Sequence, residues 1–141
     1  MYQQLIIVGN LGKDPEMRYT PSGTPVTSLS VATNRKYTGS DGQVVKETVW
    51  FRVSVFGKIA ETSAQYLKKG SLVLVEGRLT PDKASGGPRV YQRPDGTMSA
   101  TYEVFANNVR FLSSRAEGSP SPAPAPSEED VPAGNEDEIP F

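Results

Sequence analysis

A small all-β barrel of five strands, with one helix and a disordered C-terminal tail, is the fold this sequence predicts. Three observations carry it. Apolar or alternating runs of strand length are set off by turn signals such as Pro21-Ser22-Gly23 and Thr38-Gly39-Ser40-Asp41-Gly42. Only Lys58 to Lys69 is spaced like a helix. From Ser113 onward periodicity stops, and proline stands at positions 120, 122, 124 and 126.

The elements follow in order. Leu5-Ile6-Ile7-Val8 is a continuous apolar run, apolar on both faces of a strand. Gly9-Asn10-Leu11-Gly12 lacks the spacing of a phosphate-binding loop and reads as a turn or bulge. Val26 to Asn34 alternates, with Leu29 and Val31 on one face and Ser28 and Ser30 on the other. Thr48 to Phe56 is the third strand. In the helical stretch Ile59, Ala60, Ala64, Tyr66 and Leu67 are apolar; Lys68 and Lys69 sit where they would complement the helix dipole, and Gly70 stands as the stop. Leu72 to Val75 is the fourth strand, and Gly77 in that pattern suggests a bulge or a tight bend. The fifth runs from about Thr101 to Phe111. One helix between the third and fourth of five strands suits a Greek-key barrel of the OB type. A β-sandwich is the alternative, but it would want more strands.

Composition narrows the chemistry. The chain has 141 residues and neither cysteine nor histidine. Disulfides, Cys/His zinc sites, thiol nucleophiles and histidine acid–base catalysis are thereby excluded. No metal site, cofactor site or catalytic constellation emerges, and no run is long and apolar enough for a membrane helix, so a cytoplasmic protein is expected. The overall charge of −1 conceals an asymmetry. Residues 1–112 carry 14 Lys/Arg against 9 Asp/Glu, a net +5, while residues 113–141 carry one Arg and seven acids, a net −6. A basic body with an acidic tail suggests a polyanion partner for the body.

The third strand is the most informative. Val49, Phe51, Val53 and Val55 alternate on one face, a core pattern; Trp50, Arg52, Ser54 and Phe56 occupy the other. Burial would account for either aromatic alone. Sharing a face with Arg52 brings stacking on nucleobases level with it. Arg-and-aromatic pairings recur at Arg18-Tyr19, at Arg35 with Tyr37, and along Arg89, Tyr91 and Arg93, a stretch that reads as a mobile arm between Gly86-Gly87-Pro88 and Pro94-Asp95-Gly96. Singly, each is a charged side chain lying over a surface tyrosine. Together, in one basic domain, they favour a nucleic-acid surface. Two other classes stand beside it: a barrel that binds sugars or proteins, and a phosphodiester enzyme, which the scattered carboxylates of the body disfavour.

The division that results is a domain of residues 1–112, a disordered linker of 113–134 and a tip of 135–141. In the tip, Glu136, Asp137 and Glu138 lead into Ile139, Pro140 and Phe141. An apolar anchor preceded by acids and bearing a terminal carboxylate suits capture in a hydrophobic pocket with a basic rim.

These residues resemble those of the bacterial single-stranded DNA-binding protein family. The resemblance rests on Val8 to Glu16 with Arg18-Tyr19, Trp50-Phe51-Arg52-Val53, Phe56-Gly57-Lys58-Ile59-Ala60-Glu61, Tyr66 to Ser71, Val75 to Leu79 and the closing Ile139-Pro140-Phe141. It implies a non-enzymatic OB-fold protein, assembled as a homotetramer, that wraps single-stranded DNA without strong sequence preference. It implies stacking by Trp50, Phe56 and Tyr37, and backbone contacts from Arg18, Arg52, Lys58, Lys69 and Arg78. The family's further aromatic after the fourth strand has no counterpart near Lys83-Ala84, and Tyr91 is given that role. The tip would dock enzymes of replication, recombination and repair, which places the protein at the nucleoid.

Overall fold

The structure, a computed structural model, describes residues 1–113. The tip of 135–141, with Glu136 to Phe141, and all but the first residue of the expected linker lie outside the described residues. Eight elements run along the chain: β1 (Leu5–Leu11), β2 (Glu16–Tyr19), β3 (Pro25–Thr38), β4 (Val44–Phe56), α1 (Lys58–Tyr66), β5 (Leu72–Thr80), β6 (Arg89–Gln92) and β7 (Met98–Phe111). Five of them form the barrel, in the order β1-β5-β7-β4-β3, and β1 closes it by pairing Asn10 and Leu11 with Ala32 and Val31 of β3. All barrel pairs are antiparallel except β4 with β7. The two remaining strands are short: β2 lies along β3, and β6 pairs with the start of β7.

Alternation fills the interior. Leu29 and Val31 of β3, Val53 and Val55 of β4, Val73 and Val75 of β5 and Val104 of β7 are all fully buried. Each contributes on the order of 1.5–3 kcal/mol by leaving water. Helix α1 is fastened to the barrel by the buried Thr27 hydroxyl, which donates to the Ala60 carbonyl at 2.7 Å.

Three expectations change. Gly9 to Leu11 continue β1 rather than turning. Gly9 stands where β1 crosses from β5 to β3, and a β-carbon there would collide with the Ala32 carbonyl oxygen. Helix α1 stops at Tyr66, so Lys68 and Lys69 lie beyond its last turn and do not complement its dipole. The chain leaves the helix early because Leu67 takes an extended conformation and is buried in the core. The strands are also longer than their apolar runs. The β3–β4 hairpin continues as far as Thr38 paired with Val44, outside the barrel, which leaves Val49 38% exposed on what was expected to be a core face. Of the bulge or tight bend expected at Gly77, the structure has an irregularity of the bulge kind, where the β5–β7 register shifts between Glu76 and Gly77.

Candidate nucleic-acid interface

The outward residues of β3, β4 and β7 face one another across the ladder. Arg52 pairs with Ser30 on one side and Glu103 on the other; Ser54 pairs with Ser28 and Phe105. Serines on β3 leave the neighbouring row uncrowded, so a cleft of about 660 Å³ opens above it. Trp50 and Arg52 of β4, Arg18 of β2, and Arg89 and Tyr91 of β6 all line this cleft. Trp50 is 52% exposed, far more than a core tryptophan would be.

Four cations and two carboxylates line the cleft. Lys13 pairs with Glu16 at 3.2 Å and Arg89 with Glu103 at 3.6 Å. Among the described residues Arg18 and Arg52 have no carboxylate partner, so their guanidinium charge is uncommitted. The expected arm is a β-hairpin: Arg89 to Gln92 pair with Met98 to Thr101, which sets Arg89 and Tyr91 on one face. Arg93 follows and donates to the Ser99 hydroxyl at 3.1 Å. Hydrogen bonding with Ser99, then Thr101, then Arg93, holds the Tyr91 phenol below its ordinary pKa.

Further along the same face Phe56, 40% exposed, stacks on Phe105, with centroids 5.2 Å apart. The Arg78 guanidinium lies 5.1 Å from the Phe105 ring centroid. Tyr37 and Arg35 sit elsewhere. They share the opposite face of the β3–β4 ladder, where Arg35 covers the Tyr37 ring at 5.0 Å and the Tyr37 hydroxyl donates to Glu47 at 3.2 Å. That bond to a carboxylate raises the Tyr37 pKa. Lys58 is the exposed first residue of α1, and Lys69 lies in the loop before β5, its backbone N–H donating to Asp14 at 2.8 Å. Among the described residues no group of three or more His, Cys, Asp or Glu gathers where a metal ion could sit.

Residues 2–112 match the single-strand binding protein family. The chain belongs to that family. It is 40% identical over 116 residues to the single-stranded DNA-binding protein of Neisseria meningitidis serogroup A, covering 82% of this chain and 63% of that one. It is likewise 40% identical over 115 residues to that of Xanthomonas axonopodis pv. citri, covering 82% and 60%. The chain thus spans somewhat less than two thirds of the length of these relatives. A crystal structure of a deletion mutant of the single-stranded DNA binding protein from Thermus aquaticus superposes with a TM-score of 0.60 at 32% identity, over 79% of this chain and 51% of that one.

Membership in a family of binding proteins fits a cleft built from stacking surfaces and cations rather than from a reacting constellation. Lys13 and Glu103, which line the cleft, and Phe105, beyond it under Phe56, escaped the sequence reading. The alternation of Thr101, Glu103 and Phe105 could have been read from the last strand. Their place beside Arg52 and Ser54 depends on a parallel pairing that no local pattern announces.

Proposed function

We propose that this member of the single-strand binding protein family binds single-stranded DNA, without strong sequence preference, along the outer face of β4 and β7. The observation that carries the reading is the exposed indole of Trp50 in one cleft with the uncommitted guanidinium groups of Arg18 and Arg52. Bases stack on Trp50, Tyr91 and Phe56, and phosphates take Arg18, Arg52, Arg78, Arg89 and Arg93. Tyr37, Arg35, Lys58 and Lys69 lie off this face, so a strand that reaches them must wrap around the barrel. The test is a titration with oligo-dT followed by Trp50 fluorescence. Stacking quenches the indole, the protein's only tryptophan; unchanged emission at saturating DNA would defeat the reading.

Assembly belongs to the same proposal. On β1, Ile7 is buried, while its outward neighbours Ile6 and Val8 are 58% and 50% exposed. They stand beside Glu76 and the part-buried Leu74 of β5 in the ladder. A second copy covering this row accounts for its apolar character, and a homotetramer is the form proposed. The tip from Glu136 to Phe141 is proposed to dock enzymes of replication, recombination and repair, in the cytoplasm at the nucleoid.

A further inference from the structure

Gly12 follows the last residue of β1, and its φ is not among the positive values that reserve a position for glycine. Its backbone would accept any residue. What forbids a side chain is Trp50. A β-carbon on Gly12 would overlap the indole at Cζ3 and lie 2.6 Å from Cη2, while Cε3 would be 3.7 Å away. Those distances place the approach at the outer edge of the six-membered ring, because a position above the ring would bring Cε3 much nearer. Gly12 thus meets the edge of the indole rather than a face, and Trp50 is half exposed.

Gly12 cannot give way. Its N–H donates to the Ser30 carbonyl at 2.9 Å. Leu11 before it is buried in the core, with its N–H bonded to Ser71 and its carbonyl to Gly70. Between Gly12 and Trp50 lies β3, where Ala32 pairs with Trp50 and is itself buried. The indole therefore spans β3 over a small residue and ends on a fixed backbone.

We infer that Gly12 is a positioning residue for DNA binding: its missing side chain is the seat of the Trp50 indole edge and sets the ring's orientation in the cleft. The inference rests on the single-stranded DNA reading for its consequence but not for its geometry. Gly12→Ala moves the obstacle onto a side chain that can swing outward. Gly9→Ala, which meets the Ala32 carbonyl instead, strains the barrel itself.

The experiment compares the full chain with Gly12→Ala, Trp50→Leu and the double variant. In free Gly12→Ala protein, acrylamide quenching of the single tryptophan should change, because the indole has left its seat. Affinity for oligo-dT should fall about 3- to 10-fold, a part of what loss of one stacked base costs. In the Trp50→Leu background the same substitution should change affinity less than about twofold, since the two residues act through one contact. If Gly12→Ala lowers the melting temperature, Trp50→Leu should restore it by removing the clash. Unchanged quenching in the free variant, an equal affinity loss in both backgrounds, or a melting defect that Trp50→Leu leaves in place would each overturn the inference. Failure of the unmodified protein to bind oligo-dT would sink the DNA reading alone, since the free-protein quenching still reports on the seat.

Discussion

Phe56 of β4 and Phe105 of β7 stack with their planes 24° apart, on the outer surface of the barrel. The parallel register that sets Ser54 beside Phe105 makes the contact, and Arg78 of β5 extends it. An outward aromatic pair has no core to fill; on the proposed DNA-binding reading, it would hold Phe56 in one orientation for a base. Phe105→Ala should weaken oligo-dT binding by about 0.5–1.5 kcal/mol, the worth of such a pair. Phe105→Tyr, which keeps the ring, should restore it. Equal affinities for the alanine variant and the parent would assign the pair to the fold alone.

Trp50 and Arg52 are neighbours on one face, and the proposed stacking and phosphate roles are separated by salt. Trp50→Ala should cost about 1–3 kcal/mol of affinity with the salt dependence unchanged, because a stacked base releases no counterion. Arg52→Ala should reduce the slope of log affinity against log salt by about 0.7, the value for one phosphate on a single strand. A Trp50→Ala variant that unfolds, beside an Arg52→Ala variant with unaltered slope, would mean that the strand's faces are assigned the wrong way round.

The barrel was legible where one face of each strand is buried, because alternation there is a direct consequence of burial. It failed beyond the barrel's rim. Val44 to Glu47 pair with Arg35 to Thr38 but cover nothing, so nothing in their sequence announced that the third strand begins before Thr48. The same rim misled the site. Arg35 with Tyr37 and Trp50 with Arg52 looked alike as sequence pairs, yet odd and even positions across one ladder face opposite ways. The hairpin of β6 was hidden because its partner residues Met98 to Thr101 belong to a strand whose apolar pattern begins later.

Alkaline pH should expose Tyr91. Its phenol ionises below the ordinary value because Ser99, Thr101 and Arg93 favour the phenolate, while Glu47 keeps Tyr37 neutral to higher pH. For a folded-state pKa that is lowered, the stabilisation appears only above the ordinary phenol pKa and is lost as pH falls through the lowered one. DNA reverses the preference: a phenolate in the cleft repels phosphate, so affinity should fall as pH rises through the lowered Tyr91 pKa. Tyr91→Phe should retain affinity to higher pH than the parent. Superimposable pH profiles of the two proteins would place Tyr91 away from the DNA.

The outward row of β1 predicts how copies meet. Ile6→Asp with Val8→Asp should reduce the mass in solution to that of a single chain, because a carboxylate buried between subunits without a partner is costly. Circular dichroism should be retained, since Ile7 and Leu11 keep the inward side of the strand. A parent protein that is already monomeric at micromolar concentration would refute the assembly, as would a double variant of undiminished mass.

The last prediction divides labour between body and tail. Residues 113–141 hold seven acids against one arginine, and the body they follow carries a net +5. On the proposed reading those acids would compete with DNA phosphates for the same Lys and Arg side chains, an attraction that salt screens within about 8–10 Å. Removing residues 114–141 should therefore tighten oligo-dT binding at low salt, with the gain fading as salt rises. Ser113 is kept because its hydroxyl accepts from the Leu72 N–H at 2.6 Å and finishes the β5–β7 edge. Removing Phe141 alone leaves every acid in place, so DNA affinity should not move, while capture of partner enzymes should be lost with the aromatic anchor. Both truncations are checked by one DNA titration and one pull-down each. Weaker DNA binding without residues 114–141, or undiminished capture without Phe141, would show that body and tip do not divide the work in this way.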